Sequence, residues 1–211
     1  MHRNRRGGYA SQRISSWFCL DRAGADATAC IGGGSLKRTQ LWHVLRAASE
    51  ISGEKSFVLI GSQAVLLALE EPDQRLTLSD EIDLYPSMAP EKADLIDGAI
   101  GALSAFHNTY GYYADGVSPE TAILPIDWLD RASLHYFGEI TAICPDLTDL
   151  CVAKTAAGRE KDAEFVTVLL AGNHITLATL ETRIRLLDPA KHAVEHMIQW
   201  AHRRAQEASN P

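Results

Sequence analysis

Apolar and polar positions alternate between two rhythms along this chain, and their order predicts an α/β fold. Leu41, Val44, Leu45 and Ala48 recur at helical spacing, which predicts a helix capped at Thr39 and running to about Ile51. Ser52-Gly53-Glu54-Lys55 is a stop and turn. Phe57 to Ile60 is a short apolar run of β-formers and reads as a buried strand. Gly61-Ser62 follows at once, and Gln63 to Leu69 is apolar on most sides, as in a buried helix. After a polar spacer, Glu81-Ile82-Asp83-Leu84-Tyr85 alternates with a period of two and predicts a second strand.

Beyond Pro86 the rhythm is helical again from Pro90 to about Leu103, with Ile96, Ala99, Ile100 and Leu103 as the apolar stripe. Glu91, Asp94 and Asp97 fall off that stripe and read as solvated. The stretch from Phe106 to Gly116 is dense in aromatics and turn formers, and Tyr110 to Tyr113 reads as a strand bounded by Gly. Tyrosines there suit either a stacked base or a finished core, and the core reading is preferred. Residues 120–126 read as a further strand broken by Pro125. Residues 127–137 are ambiguous, and Glu139 to Cys144 is a strand ended by Pro145. The rest is helical: one helix from Asp146, one opening at Arg159-Glu160-Lys161-Asp162 and running through Leu170, one over Leu177–Leu187, and a last one opened by Pro189 and running to about Ala208.

Two features of this pattern carry chemistry. A strand, a Gly-Ser turn and a helix leave backbone N–H groups free to hold an anion. Glu81 and Asp83 share one strand face, where two carboxylates repel each other unless a cation sits between them, and hard oxygen ligands suit Mg²⁺. Together they are the minimum for metal-assisted phosphoryl or nucleotidyl transfer. By position Asp115, Glu120 and Asp127 are all candidates for a third carboxylate. His107 reads as a hydrogen-bonded structural residue. His43 reads as packed or at the surface. His192 and His196 fall at i,i+4 and read as a surface pair.

The order Ile60-Gly61-Ser62, spacer, Glu81-Ile82-Asp83-Leu84 resembles the nucleotidyltransferase superfamily, and within it small bacterial abortive-infection and type IV toxin-like proteins. The first acid is Glu rather than the usual Asp, and the spacer from Gln63 to Asp80 is long for that pattern. Asp149-Leu150 with Lys154, followed by Gly158-Arg159-Glu160-Lys161-Asp162, resembles a second signature of the toxin-like members. The resemblance implies a small mixed β-sheet with flanking helices and a C-terminal helical part. It implies a nucleoside triphosphate and Mg²⁺ as ligands, with a hydroxyl of RNA (tRNA included) or of a protein as acceptor. Gly61 and Ser62 would hold phosphate, and Glu81 and Asp83 would bind metal and act in catalysis. Lys154 and Lys161 would neutralise the triphosphate, and Asp162 would orient a basic side chain or assist the metal. The alternative it implies is an inactive nucleotide- or protein-binding module, set against a cognate antitoxin.

Composition narrows this further. The chain has 211 residues, enough for one sizeable core, and 46% of them are hydrophobic. The net charge of −7 argues against a broad grip on nucleic acid. Residues 1–35 hold five Arg and two Asp, a formal charge of +3, which leaves −10 for the remainder. They lack periodicity and are expected to be a leader outside the fold. Residues 36–145 are then expected to form the nucleotidyltransferase-like domain and 146–211 the helical region. Cys19, Cys30, Cys144 and Cys151 are not spaced for a metal, and without a secretory signal they suggest a reducing cytoplasm. No run is apolar over the length of a membrane span.

Overall fold

The computed structural model describes residues 35–210; the expected leader therefore lies outside the described residues except for Ser35. Helix α1 spans Arg38–Ser52. It begins one residue before Thr39, because the Gln40 side chain accepts from the Lys37 backbone N–H at 2.7 Å. Gly53, with φ of 74°, ends it in the left-handed conformation that glycine adopts without steric cost. Strand β1 is Ser56–Leu59. The segment after Gly61 is shorter and tighter than its apolar pattern suggests: a 3₁₀ turn over Ser62–Ala64, then one α-turn, α2, over Val65–Ala68. Arg38 closes α2 by donating to the carbonyls of Leu66 at 2.8 Å and Leu69 at 3.0 Å.

Strand β2 is Glu81–Pro86. Helix α3, Ala93–Ile100, stops before Leu103, which is exposed and has φ of 63°. The expected strand at Tyr110 is instead the end of helix α4, Ala105–Tyr110. Ser104 caps α4 by accepting from the His107 N–H, and Gly111 stops it in the left-handed conformation. Strand β3 starts later, at Tyr113, and runs to Gly116. No strand forms over residues 120–126; a 3₁₀ turn over Pro119–Thr121 and an irregular loop through Pro125 take its place. Strands β4, Ser133–Phe137, and β5, Ile140–Cys144, form a hairpin.

Helix α5 is Leu147–Ala157, with Asp146 accepting from the Thr148 N–H, and α6 is Glu160–Ala171. Helix α7, Leu177–Ile184, ends short of Leu187. The last helix, α8, is Val194–Ser209 and begins five residues after Pro189, so His192 is not on one helix face with His196.

The sheet has five strands in the order β3-β2-β1-β5-β4. β1 is antiparallel to β2 and parallel to β5, β2 is parallel to β3, and β4 is antiparallel to β5. This is an α+β fold with a mixed sheet and flanking helices, as the family resemblance implies. One sheet face is apolar: Phe57, Leu59, Ile82, Leu84, Ala114 and Ala142 join a core that continues through α1, α3 and the C-terminal helices. The opposite face carries a small cluster of Val58, Ile60 and Tyr85, joined by Ala93 of α3 and covered by Val117, Leu124 and Trp128 from the segment between β3 and β4. Polar chemistry sits on this thinly covered face. Among the described residues no helix is long and apolar enough to cross a membrane.

Candidate functional site

Ile82 and Leu84 are fully buried in the main core, so Glu81 and Asp83 are forced onto the other face of β2. Strand β3 repeats the device. Its parallel register sets Tyr113 beside Glu81 and Asp115 beside Asp83, with Ala114 buried next to Ile82. Of the three candidates for a third carboxylate, Asp115 is therefore the one that joins the pair. Asp127 is held by Arg131 at 2.7 Å, and Glu120 is exposed on the 3₁₀ turn.

The Gly-Ser bend touches the acids. A Cβ added at Gly61 would fall 1.8 Å from Asp83 Oδ2 and 2.7 Å from its Cγ, so only a hydrogen fits between the bend and the carboxylate. Gly61 has φ of −85°; space, not backbone conformation, calls for glycine here. Next to it, the buried Gln63 donates from Nε2 to the Ser79 carbonyl at 2.7 Å, while its Oε1 is a buried acceptor with no partner among the described residues.

Charge is unevenly balanced over this cluster. Burial pushes the Asp83 carboxyl above its ordinary value, the charges of Glu81 and Asp115 push it further, and Lys154 and Lys161 oppose them. Asp115 is also raised, by burial and then by Glu81 and Asp97. Glu81 moves the other way. Its burial would raise it, but Lys161 Nζ at 3.0 Å, Ser79 and the Tyr113 hydroxyl at 3.3 Å outweigh that and hold it below the usual range.

The residues of the second motif lie alongside. Ser62, Ser79, Arg75, Lys154, Lys161 and Asp162 line a cavity of about 240 Å³ that Phe165 also borders. That is smaller than the ~300–1,000 Å³ of common small-molecule sites. A neighbouring groove of about 580 Å³ shares Arg75, Lys161 and Glu164 with it. Asp162 is 1% exposed. It accepts from Arg159 Nε at 2.7 Å and faces Lys154 Nζ at 3.5 Å. Burial would raise its carboxyl, but Arg159 and Lys154 win, so its pKa is lowered. Lys154 in turn sits 5.5 Å above the Phe165 ring. Asp162 is thus paired with two basic side chains, Arg159 and Lys154.

Five of the seven expected site residues, Gly61, Ser62, Glu81, Asp83 and Lys161, meet around the bend and its cavity, and Lys154 and Asp162 complete the cavity wall. The structure adds Tyr113 and Arg75 to these. Tyr113-Ala114-Asp115-Gly116 repeats the alternation of Glu81-Ile82-Asp83-Leu84, which is the signal that finds Tyr113 and Asp115. Arg75 leaves no such signal, because it sits on a 3₁₀ turn inside the long spacer.

The donors fit a hard divalent cation: three carboxylates on adjacent strands, two of them raised by burial first and then by neighbouring carboxylates. Among the described residues no three metal-type side chains already converge as a formed cluster. A cation would have to draw them in, displacing Lys161 from Glu81. His43, His107, Tyr110 and Tyr112 are engaged in packing and hydrogen bonds outside the carboxylate cluster. His43 Nδ1 meets the Tyr112 hydroxyl at 2.8 Å within a cluster of Phe106, Tyr110 and Tyr112, and His107 Nδ1 accepts from the Leu103 N–H at 3.0 Å.

Compared with known families, residues 39–205 match one described as a nucleotidyltransferase of unknown function, DUF6036. No curated protein and no solved structure matches the chain.

Proposed function

The chain belongs to the DUF6036 family of nucleotidyltransferases, and from that premise we propose that it is a Mg²⁺-dependent enzyme moving a nucleotidyl group from a nucleoside triphosphate to a hydroxyl of RNA or protein. The observation that carries the reading is the pairing of Asp83 with Asp115 across two strands, directly against the bend at Gly61.

Glu81, Asp83 and Asp115 would hold the metal, which supplies charge neutralisation and acidifies the attacking hydroxyl. Asp115, beside Asp83 on the neighbouring strand, would accept that hydroxyl's proton. The hydroxyl oxygen bonds to the α-phosphorus, the bond to the bridging oxygen breaks, and pyrophosphate leaves. Lys154 and Lys161 at the cavity wall face the negative charge gathering on the leaving group. Helix α2 is a single turn, so its dipole adds little. Phosphate contacts at Gly61 and Ser62 rest on local backbone N–H groups and the Ser62 hydroxyl.

A second reading has one observation in its favour. Lys161 occupies Glu81, which stands where the superfamily pattern has Asp, and such a neutralised acid suits a non-catalytic nucleotide- or protein-binding module of a toxin–antitoxin pair. Thermal unfolding with Mg²⁺ and each of four nucleoside triphosphates, in wild type and Asp83→Ala, tests the metal site. Binding at a hundred times Kd stabilises by about 2.7 kcal/mol. The expected result is a Mg²⁺-dependent rise for at least one nucleotide in wild type and none in Asp83→Ala; equal behaviour of the two proteins ends the metal-site reading. Transfer of labelled nucleotide to total RNA or protein then separates enzyme from binder.

A further inference from the structure

The far edge of the sheet from the carboxylates is β4, and among the described residues no strand pairs with its outer side. Sheet edges are ordinarily guarded by charge, proline or bulges. Ser133-Leu134-His135-Tyr136-Phe137 contains no Asp, Glu, Lys, Arg or Pro. Its side chains are exposed instead: Leu134 at 52%, Tyr136 at 69% and Phe137 at 40%. Leu134 is the register partner of Ile143, so it extends the thinly covered sheet face outward. The loop covering that face adds Leu129 and the almost fully exposed Ile126.

The backbone points the same way. Phe137 and Ile140 flank the two-residue turn at Gly138-Glu139, and they pair by hydrogen bonds as residues next to such a turn do. The alternation then turns the N–H and C=O of Leu134 and Tyr136 outward. Thr141, opposite Tyr136, sends its own N–H away from β4, to the Lys55 carbonyl on the β1 side. The two residues whose backbone groups turn outward are thus the two with the most exposed side chains on the strand.

We infer that β4 is the contact surface for a second copy of this chain, which adds its own β4 antiparallel across a two-fold axis. The strand is self-complementary in one register: Leu134 of each copy opposite Tyr136 of the other, with His135 facing His135 on the axis. The chain carries a net charge of −7, but the paired strands themselves would bring no acid against another, because Ser133 to Phe137 has none. The five exposed apolar side chains offer on the order of 500 Å² per copy, so two copies approach the ~1,000 Å² at which a specific interface begins. The joined sheet would have ten strands. Both carboxylate clusters would stay open at its outer ends, because β2 and β3 lie at the other edge.

Sedimentation-velocity measurements on the full chain between about 1 and 100 µM test this. Wild type is expected to be a dimer at the upper end, and Leu134→Lys/Tyr136→Lys a monomer with an unchanged far-UV spectrum. A monomeric wild type at 100 µM overturns the inference, as does a dimer that persists in the double variant. His135→Cys, in a background with Cys19→Ser and Cys30→Ser, provides an independent check of register. Facing residues of a non-hydrogen-bonded pair lie about 4.5 Å apart between Cα atoms, within disulfide reach. It is expected to give a covalent dimer on mild oxidation, and failure to cross-link while dimeric overturns the proposed register.

Discussion

Asp162 lines the cavity and Asp83 lies on the strand face beside the Gly61 bend, and their surroundings push the two carboxyls in opposite directions. Asp162 is gripped by Arg159 and Lys154, so its charge is matched and its carboxyl is lowered. Asp83 is partly buried, and that burial together with Glu81 and Asp115 outweighs Lys154 and Lys161, so its carboxyl is raised. Burial alone does not separate a structural acid from a working one; the sign of the neighbouring charge does. Asp162 is complete as it stands. Asp83 is left with repulsion that a cation would relieve.

Substitution sharpens the contrast. Asp83→Ala is expected to lose transfer by a factor of about 10³ or more, on the order of 4 kcal/mol at the transition state, while its Tm without metal holds or rises. Asp162→Asn is expected to do the reverse first: it leaves Lys154 and Arg159 without their counter-charge and costs about 2–3 kcal/mol of stability, measured by urea unfolding. Equal losses of stability in both variants would erase the distinction. Gly61→Ala is expected to force the Asp83 carboxylate aside, with about 1–3 kcal/mol of strain and weaker Mg²⁺-dependent stabilisation. An Asp83-like loss of metal response with a folded spectrum would show that the bend and the acid act together.

The smallest effect is in pH. The folded-state pKa of Asp162 is depressed, so its contribution is present above the unfolded value near 4 and is lost as pH falls through the folded value. The Tm gap between wild type and Asp162→Asn should therefore be widest at neutral pH and close in acid. Asp83 has a raised folded pKa, so its ionised form destabilises at neutral pH and the penalty disappears as the group protonates. The Tm advantage of Asp83→Asn without metal should shrink as pH falls toward 4. Gaps that run in parallel would contradict the opposite signs.

Much of this contrast was readable in the chain itself, and the unreadable part has a common cause. β1, β2, β5 and helices α1, α5 and α6 follow from local signals: an apolar run, a period of two, a cap at Asp146, glycines at 53 and 158. Glu81 and Asp83 follow from the same alternation. Tyr110 was expected in a strand because tyrosine favours strands, yet Ser104 and Gly111 frame a short helix there. Residues 120–126 are apolar because they cover a sheet face, not because they are a strand. Selecting Asp115 over Glu120 and Asp127 required the register between β2 and β3, which depends on partners some thirty residues apart. Arg131 shows the same limit from the other side: its bidentate bond to the fully buried Asp149, at 2.8 and 3.0 Å, is invisible until the 3₁₀ turn over Trp128–Arg131 and α5 are brought together.

Ala114 is a methyl group with no reactivity, sealed in the main core between its neighbours on β3. Moving that strand along by one position would swing Asp115 into hydrocarbon and leave the methyl facing solvent. An inert side chain therefore guards the address of a reactive one, and a bulky replacement such as Ala114→Phe would be felt at a carboxylate it never touches.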